Sequence, residues 1–267
     1  MTKLAVNYSP QASELLHAGK IDFHLYKCPN WENLIAAASN ELPVYIHFDF
    51  FVGNEFLVDV DWGAIREVAD ATGTHYINTH LANDPGLDLN NPKQKHQAYS
   101  KMLRDIGHIT HHFSPYQVII ENLPHPIMNR VDIRPEIDPQ VYSNLVAETG
   151  VGMLLDIGHA RITAASLGID EREYISHFPL SRLSELHITG VGDHDGLPHD
   201  HLRLLDADWS TLDWVLDNIQ SGDWREPEIM AFEYGGIGPL FEWRSDSDVL
   251  REQVPMLLSR LESHGLL

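Results

Sequence analysis

Short apolar runs, each closing on an acidic or imidazole residue, recur along this chain with helix-patterned segments between them. VYIHFDF carries His47, YINTHLAN carries His80 and YQVIIENLP carries Glu121. GMLLDIGHAR carries Asp156 and His159, SELHITG carries His187 and IMAFEYGG carries Glu233. Continuous apolar runs of this length read as strands buried on both faces, the pattern of a parallel sheet covered by helices. Strands are predicted at 3–8, 22–27, 43–50, 74–81, 116–121, 151–156, 183–189 and 228–234. Helices are predicted at 10–18, 31–40, 60–71, 93–112, 138–148, 170–178, 208–220 and 246–264. Eight of each in strict alternation predict an α/β fold, a single (β/α)8 TIM barrel over residues 1–267. In such a barrel the carboxyl ends of the strands converge on one face, where the chemistry is placed.

Local signals mark several helix boundaries. Asn30 precedes WENLIAAAS, and Asn54 and Asp61 lie near the next start. Asn91-Pro92 and Asp138-Pro139 open two more helices, proline being favourable where its missing N–H has no partner to lose. Gly73 and Gly150 stand where caps end helices. The longest loops follow strand five (NLPHPIMNRVDIRPEI) and strand seven (GVGDHDGLPHDHLRLLDA), and 123–137 is a candidate lid.

With 267 residues the chain is long enough for one large core. No apolar stretch approaches a bilayer's thickness, and MTKLAVNYSP lacks the apolar core of a signal peptide. One cysteine, Cys28, excludes an internal disulfide framework, which fits a cytoplasmic protein. The net charge of −21, from 18 Lys+Arg against 39 Asp+Glu, argues against a nucleic-acid partner, although a metal cluster can itself attract one phosphate. Neutral imidazoles and carboxylates meeting at one point are what a divalent metal requires, and the chain has 17 histidines. The loop from His194 to His201 is the densest group of ligand types. It reads either as a solvated acidic loop, or as a flap whose His201, with His199 or Asp200, folds over a second or third metal.

Taken together, LLDIGHAR, ELHITG followed by HDHLRL, VIIENLP and MAFEYGG resemble the strand ends of the xylose isomerase-like TIM-barrel superfamily, which includes sugar isomerases and epimerases and endonuclease IV. The resemblance runs from about His47 to Glu233. In the epimerase branch it implies one metal on Glu121, Asp156, His187 and Glu233. The two glutamates then double as catalytic acid and base while the metal stabilises an enediolate. In the endonuclease IV branch it implies a trinuclear zinc site that also uses His47, His80, His159 and His201. The full candidate metal set is therefore His47, His80, Glu121, Asp156, His159, His187, His199, His201 and Glu233. Two features depart from the superfamily: His199 stands where Asp is usual, and Leu205-Asp206-Ala207 stands where Gly-Glu-Gly is common. A related branch of peptide-modifying multinuclear iron enzymes has Asn at the position of His159, which sets this chain apart from it.

Lys27, Asn122, Trp243 and Arg244 are candidate substrate-binding residues, with Asn7, Tyr8 and Tyr26 as further pocket residues. The resemblance implies a metal-dependent sugar or sugar-phosphate isomerase or epimerase, acting on a polyhydroxylated or phosphorylated small molecule. A multinuclear phosphodiesterase or a multinuclear iron enzyme is the alternative, and a non-catalytic binding barrel is the third reading. One to three divalent ions are expected, with Zn, Mn, Fe, Co and Mg all compatible. A homo-oligomer is compatible with a fold of this kind.

Overall fold

The computed structural model describes residues 1–54, 57, 59–84, 86–125, 133–238 and 241–267. All eight predicted strands form. In chain order the strands are β1 (Lys3–Asn7), β2 (Leu25–Pro29), β3 (Val44–His47), β4 (Phe50–Val52), β5 (Ile77–Leu81), β6 (Val118–Glu121), β7 (Gly152–Asp156), β8 (Leu183–Ile188), the hairpin pair β9 (Gly190–His194) and β10 (Leu197–Leu202), and β11 (Ile229–Phe232). All but the hairpin pair make one parallel sheet in the order β3-β2-β1-β11-β8-β7-β6-β5-β4. The predicted strand 43–50 is thus two pieces, β3 pairing with β2 and β4 with β5. Its two halves form the ends of the sheet and are consecutive in sequence, so the chain itself joins the ring. At the break the Phe48 N–H donates to Asn78 Oδ1 (2.6 Å), and Asn78 Nδ2 donates back to the Phe48 carbonyl (2.7 Å). A side-chain amide thereby replaces the missing ladder, as buried peptide groups require.

Period-2 alternation explains where the site lies. Toward the amino ends, the small clusters Ala5, Leu25, Tyr45, Ile229 and Ala231, and Tyr76, Ile119 and Leu154, are apolar and buried. Two residues on, the same faces carry Asn7, Lys27, His47, Asn78, Glu121, Asp156 and Glu233. The sheet interior therefore has an apolar floor under a polar layer. The alternate residues, such as Leu4, Ile46, Ile120, Leu155 and Phe232, join the large core beneath the helices.

Nine α-helices occur among the described residues: α1 (Pro10–His17), α2 (Glu32–Ser39), α3 (Trp62–Thr72), α4 (Pro92–His112), α5 (Pro139–Thr149), α6 (Ile157–Leu167), α7 (Glu171–Ser176), α8 (Asp206–Gln220) and α9 (Ser247–Ser263). Asp61, Asn91 and Asp138 cap α3, α4 and α5 through their side chains, and Gly73 and Gly150 end helices in the left-handed conformation. Asn30 does not cap α2; Trp31 occupies that position and makes no side-chain cap bond. Two elements depart from expectation. Residues 157–167 form α6, started by Asp156, whose Oδ1 accepts the His159 N–H at 2.7 Å. Part of the loop after β8 is a two-stranded antiparallel sheet, β9 with β10. Asp195 (φ 55) and Gly196 (φ 78) turn it, an Asp-Gly pair suited to a two-residue hairpin. The central part of the candidate lid, 126–132, lies outside the described residues. None of the described helices is long and apolar enough to cross a membrane.

Candidate metal centre

Glu121, at the end of β6, is the hub. Its Oε2 lies 3.0 Å from His80 Nε2 and 3.4 Å from His47 Nε2. Its Oε1 lies 3.3 Å from His187 Nδ1 and 3.6 Å from His159 Nδ1. Burial would raise the Glu121 pKa, but His80, His187 and His47 outweigh it and hold the carboxyl well below its usual range. Beside it, Asp156 commits Oδ1 to capping α6 and turns Oδ2 toward His187 Nδ1 (3.7 Å) and His159 Nε2 (3.8 Å). Glu233 Oε1 lies 3.3 Å from His187 Nδ1, and its Oε2 lies 3.7 Å from His201 Nε2.

Four overlapping donor sets result among the described residues, each with ligand atoms within 4.8 Å of one another: His47–His80–Glu121, His47–Glu185–His187, Glu121–Asp156–His159 and Asp156–His187–Glu233. Glu121 belongs to two of these sets and Asp156 to two. Glu121 Oε2, Asp156 Oδ2, His187 Nδ1, His47 Nδ1 and His201 Nδ1 are buried without a hydrogen-bond partner. Buried polar atoms are costly to leave unpaired. An imidazole and carboxylate set without thiolate suits Zn, Mn, Fe or Co, so the residues fit a divalent metal.

His159 donates from Nδ1 to the Asn122 carbonyl (2.9 Å) and places Nε2 3.0 Å from Asp200 Oδ2. Burial lowers its pKa, yet Asp156 and Asp200 outweigh that and push it up to about 10. Asp200, not His199, supplies the hairpin's carboxylate. The hairpin register shifts between His199 and Leu202, and His201 takes a left-handed backbone (φ 55). Bulges re-aim side chains in this way. His201 is held there by its N–H to Thr189 Oγ1 (2.6 Å), and burial pulls its pKa down to about 4. The His199 ring instead packs edge-on to His194 at 5.7 Å, out on the hairpin.

A cavity of about 750 Å³ opens above this cluster. Its floor includes His47, His80, Glu121, His159, His201 and Glu233; Trp31, Phe48, Phe50, Ile237 and Phe241 are among its walls. Lys27 is buried in it and ion-paired with Glu233. Tyr8 also lines the cavity, and Asn7 donates to the Gly235 carbonyl at 3.3 Å. Tyr26 turns away and donates to Glu41. Arg244 braces Asp200, with Nη1 3.4 Å from Oδ1, while stacking on Phe241. The Trp243 side chain lies outside the described residues.

Asn122 has a different task from the substrate contact expected of it. Its Nδ2 donates to the Asp156 carbonyl (2.9 Å) and its Oδ1 accepts the Asp156 N–H (2.8 Å), which uses both ends of the amide. Replacing Asn122 by Ala would strand two buried peptide groups. We expect a loss of about 3 kcal/mol in denaturant unfolding, from roughly 1–3 kcal/mol for each orphaned group. An unchanged midpoint would show that these bonds carry no weight.

Two further residues in the site were not marked by sequence. Asn78 donates to His47 Nε2 at 2.9 Å as well as closing the ring. Glu185, two residues before His187, has Oε1 2.8 Å from His187 Nε2. An acid inside an otherwise apolar strand, on the same face as a candidate ligand, was the available signal.

Relatives of known fold match throughout. A D-tagatose 3-epimerase-like protein superposes with TM-score 0.63 at 16% identity, covering 99% of this chain and 98% of that one. The IolI protein with a bound zinc atom gives 0.63 at 12% (98% and 99%), and endonuclease IV from Thermus thermophilus gives 0.52 at 16% (98% and 99%). At these identities they establish the xylose isomerase-like TIM-barrel fold. In sequence, a UPF0276 protein of Rhizobium meliloti is 27% identical over 124 residues, 45% of this chain but only 38% of that protein. One from Acaryochloris marina is 22% identical over 212 residues, 77% of this chain and 71% of the relative. Residues 31–220 match the family described as RiPP precursor modification enzyme MbnB/TglH/ChrH. His159 therefore does not separate the chain from peptide-modifying relatives, as the asparagine of that branch had suggested. By that match across most of its length, the chain belongs to the MbnB/TglH/ChrH family of RiPP precursor modification enzymes.

Proposed function

We propose that this protein modifies a precursor peptide at a centre of two or three divalent metal ions. The observation that carries this reading is Glu121, whose two oxygens face different imidazoles on opposite sides, His47 and His80 at one and His187 and His159 at the other. A carboxylate in that setting is built to bridge two cations, and it is poorly placed to carry a proton to and from a sugar carbon. Glu233 is similarly engaged, by Lys27 and His187. His47, His80 and Glu121 would hold one ion, and Asp156, His187 and Glu233 the next. Glu121, Asp156 and His159 would hold a further one. Bound there, the metals would supply Lewis acidity and, if iron, redox capacity. The aromatic and aliphatic walls favour a peptide side chain over a polyhydroxylated sugar, and the charge of −21 disfavours DNA.

A second reading is the single-metal isomerase or epimerase. It is favoured by the set Asp156–His187–Glu233, which offers one ion three buried donors. One experiment separates the two. The metal-loaded protein is co-produced with candidate precursor peptides and, separately, incubated with aldo- and keto-sugars. A mass change in a peptide that disappears in Asp156→Ala supports the peptide reading. Sugar interconversion with unchanged peptides would replace it with the isomerase.

A further inference from the structure

Beneath the metal donors lies a buried carboxylate that belongs to only one of the four donor sets. Glu185 is 2% exposed, on β8, one inward step below His187. Its Oε1 accepts two hydrogen bonds, from Tyr45 Oη (2.9 Å) and from His187 Nε2 (2.8 Å). Tyr45, in β3, is one of the buried floor residues, and burial and Glu185 hold its phenol well above its usual pKa.

This geometry settles which way the His187 ring is presented. An ionised carboxylate only accepts, so Nε2 must carry the hydrogen. Nδ1 is then the nitrogen left to face Glu121 Oε1 and Glu233 Oε1, each at 3.3 Å, and Asp156 Oδ2 at 3.7 Å. Nδ1 has no hydrogen-bond partner. Three carboxylate oxygens facing Nδ1 favour a positive charge there, a proton or a metal ion.

We propose that Glu185, held in turn by Tyr45, is a positioning residue that fixes the tautomer and tilt of His187 and raises the basicity of its Nδ1 toward a metal. Outer partners of this type tune ligand strength without touching the ion. The inference rests on the metal reading of the site. Glu185 could also be read as a ligand itself, since His47, Glu185 and His187 offer donor atoms within 4.8 Å of one another. The double hydrogen bond on Oε1 argues for the positioning role, and the experiment separates the two.

The test is a competitive chelator titration with zinc on the full chain, comparing wild type, Glu185→Gln and Tyr45→Phe, with total zinc at saturation measured alongside. Glu185→Gln is expected to weaken the affected site by roughly 10- to 100-fold. Tyr45→Phe should weaken it less, and both should reach the wild-type zinc content at saturation. A 15N spectrum of the imidazoles supplies a readout that general loosening would not mimic: His187 in the zinc-loaded wild type should show a protonated Nε2, perturbed in Glu185→Gln alone among the histidines. Unchanged affinity in both variants would overturn the proposal, and so would loss of a whole equivalent at saturation, which would make Glu185 a ligand. If Glu185→Gln does not fold, Tyr45→Phe, which keeps the ring's volume, decides alone. A wild type that binds no zinc, iron or manganese would instead bring down the metal reading of the site.

Discussion

Replacing Glu121 by Ala is expected to remove metal from both positions that this carboxylate joins, leaving at most one ion per chain. The reason is geometric. Its two oxygens serve two sides of the cluster, so a single truncation takes a donor from His47 and His80 on one side and from Asp156 and His159 on the other. The affinity loss should exceed the roughly 10- to 100-fold that follows removal of an outer partner. Activity on any substrate should fall with metal content. Elemental analysis of the purified variant checks this. A Glu121→Ala protein that keeps its full complement would show that Glu121 is not the bridge, and that the imidazoles around it hold metal without its help.

Stripping the metal should cost the protein much of its thermal margin. Each site filled at about a thousand times its Kd stabilises the folded chain by about 4 kcal/mol. For a domain of this size that is a fall of roughly 10 °C in Tm for each site emptied by chelation, at about 2–4 °C per kcal/mol. Excess metal should restore it. The physical cause lies in the packing of like groups: Glu121, Asp156 and Glu233 are buried side by side, and cations compensate them. His159→Asn is a useful comparison, because it exchanges one imidazole for an amide oxygen and leaves the three carboxylates. It should retain most of the metal-dependent shift. A melting curve that is the same with and without chelator would mean that the site does not load.

Much of the barrel was legible because its signals are periodic. Each strand is an apolar run, and each helix start with Asn or Asp followed by Pro behaves as capping chemistry dictates. What escaped was punctuated differently. Residues 157–167 follow β7 without a turn, because Asp156 ends the strand and caps the helix at once. The hairpin β9–β10 is polar and His-rich, so composition masked the Asp195-Gly196 turn that defines it. In the site, the strand-end residues converge as their spacing implied. His199 and Asn122 do not behave as expected, for reasons no spacing rule contains. A register shift and the left-handed His201 present Asp200 in place of His199, and the peptide groups of Asp156 claim both ends of the Asn122 amide. Four of the donors, Glu121, Asp156, His187 and Glu233, fit a single-metal isomerase by resemblance alone. The crowding of imidazoles around one carboxylate becomes visible only when the strands are assembled.

The central claim is that these donors form a multinuclear centre, and metal counting tests it most directly. The protein is purified without chelator or affinity metal and analysed for iron, manganese, zinc and cobalt, alongside Asp156→Ala and His187→Ala. The account predicts two or three ions per chain in the wild type, with the count falling in both variants while the barrel stays folded. A single ion per chain, or a count that neither substitution changes, would contradict it.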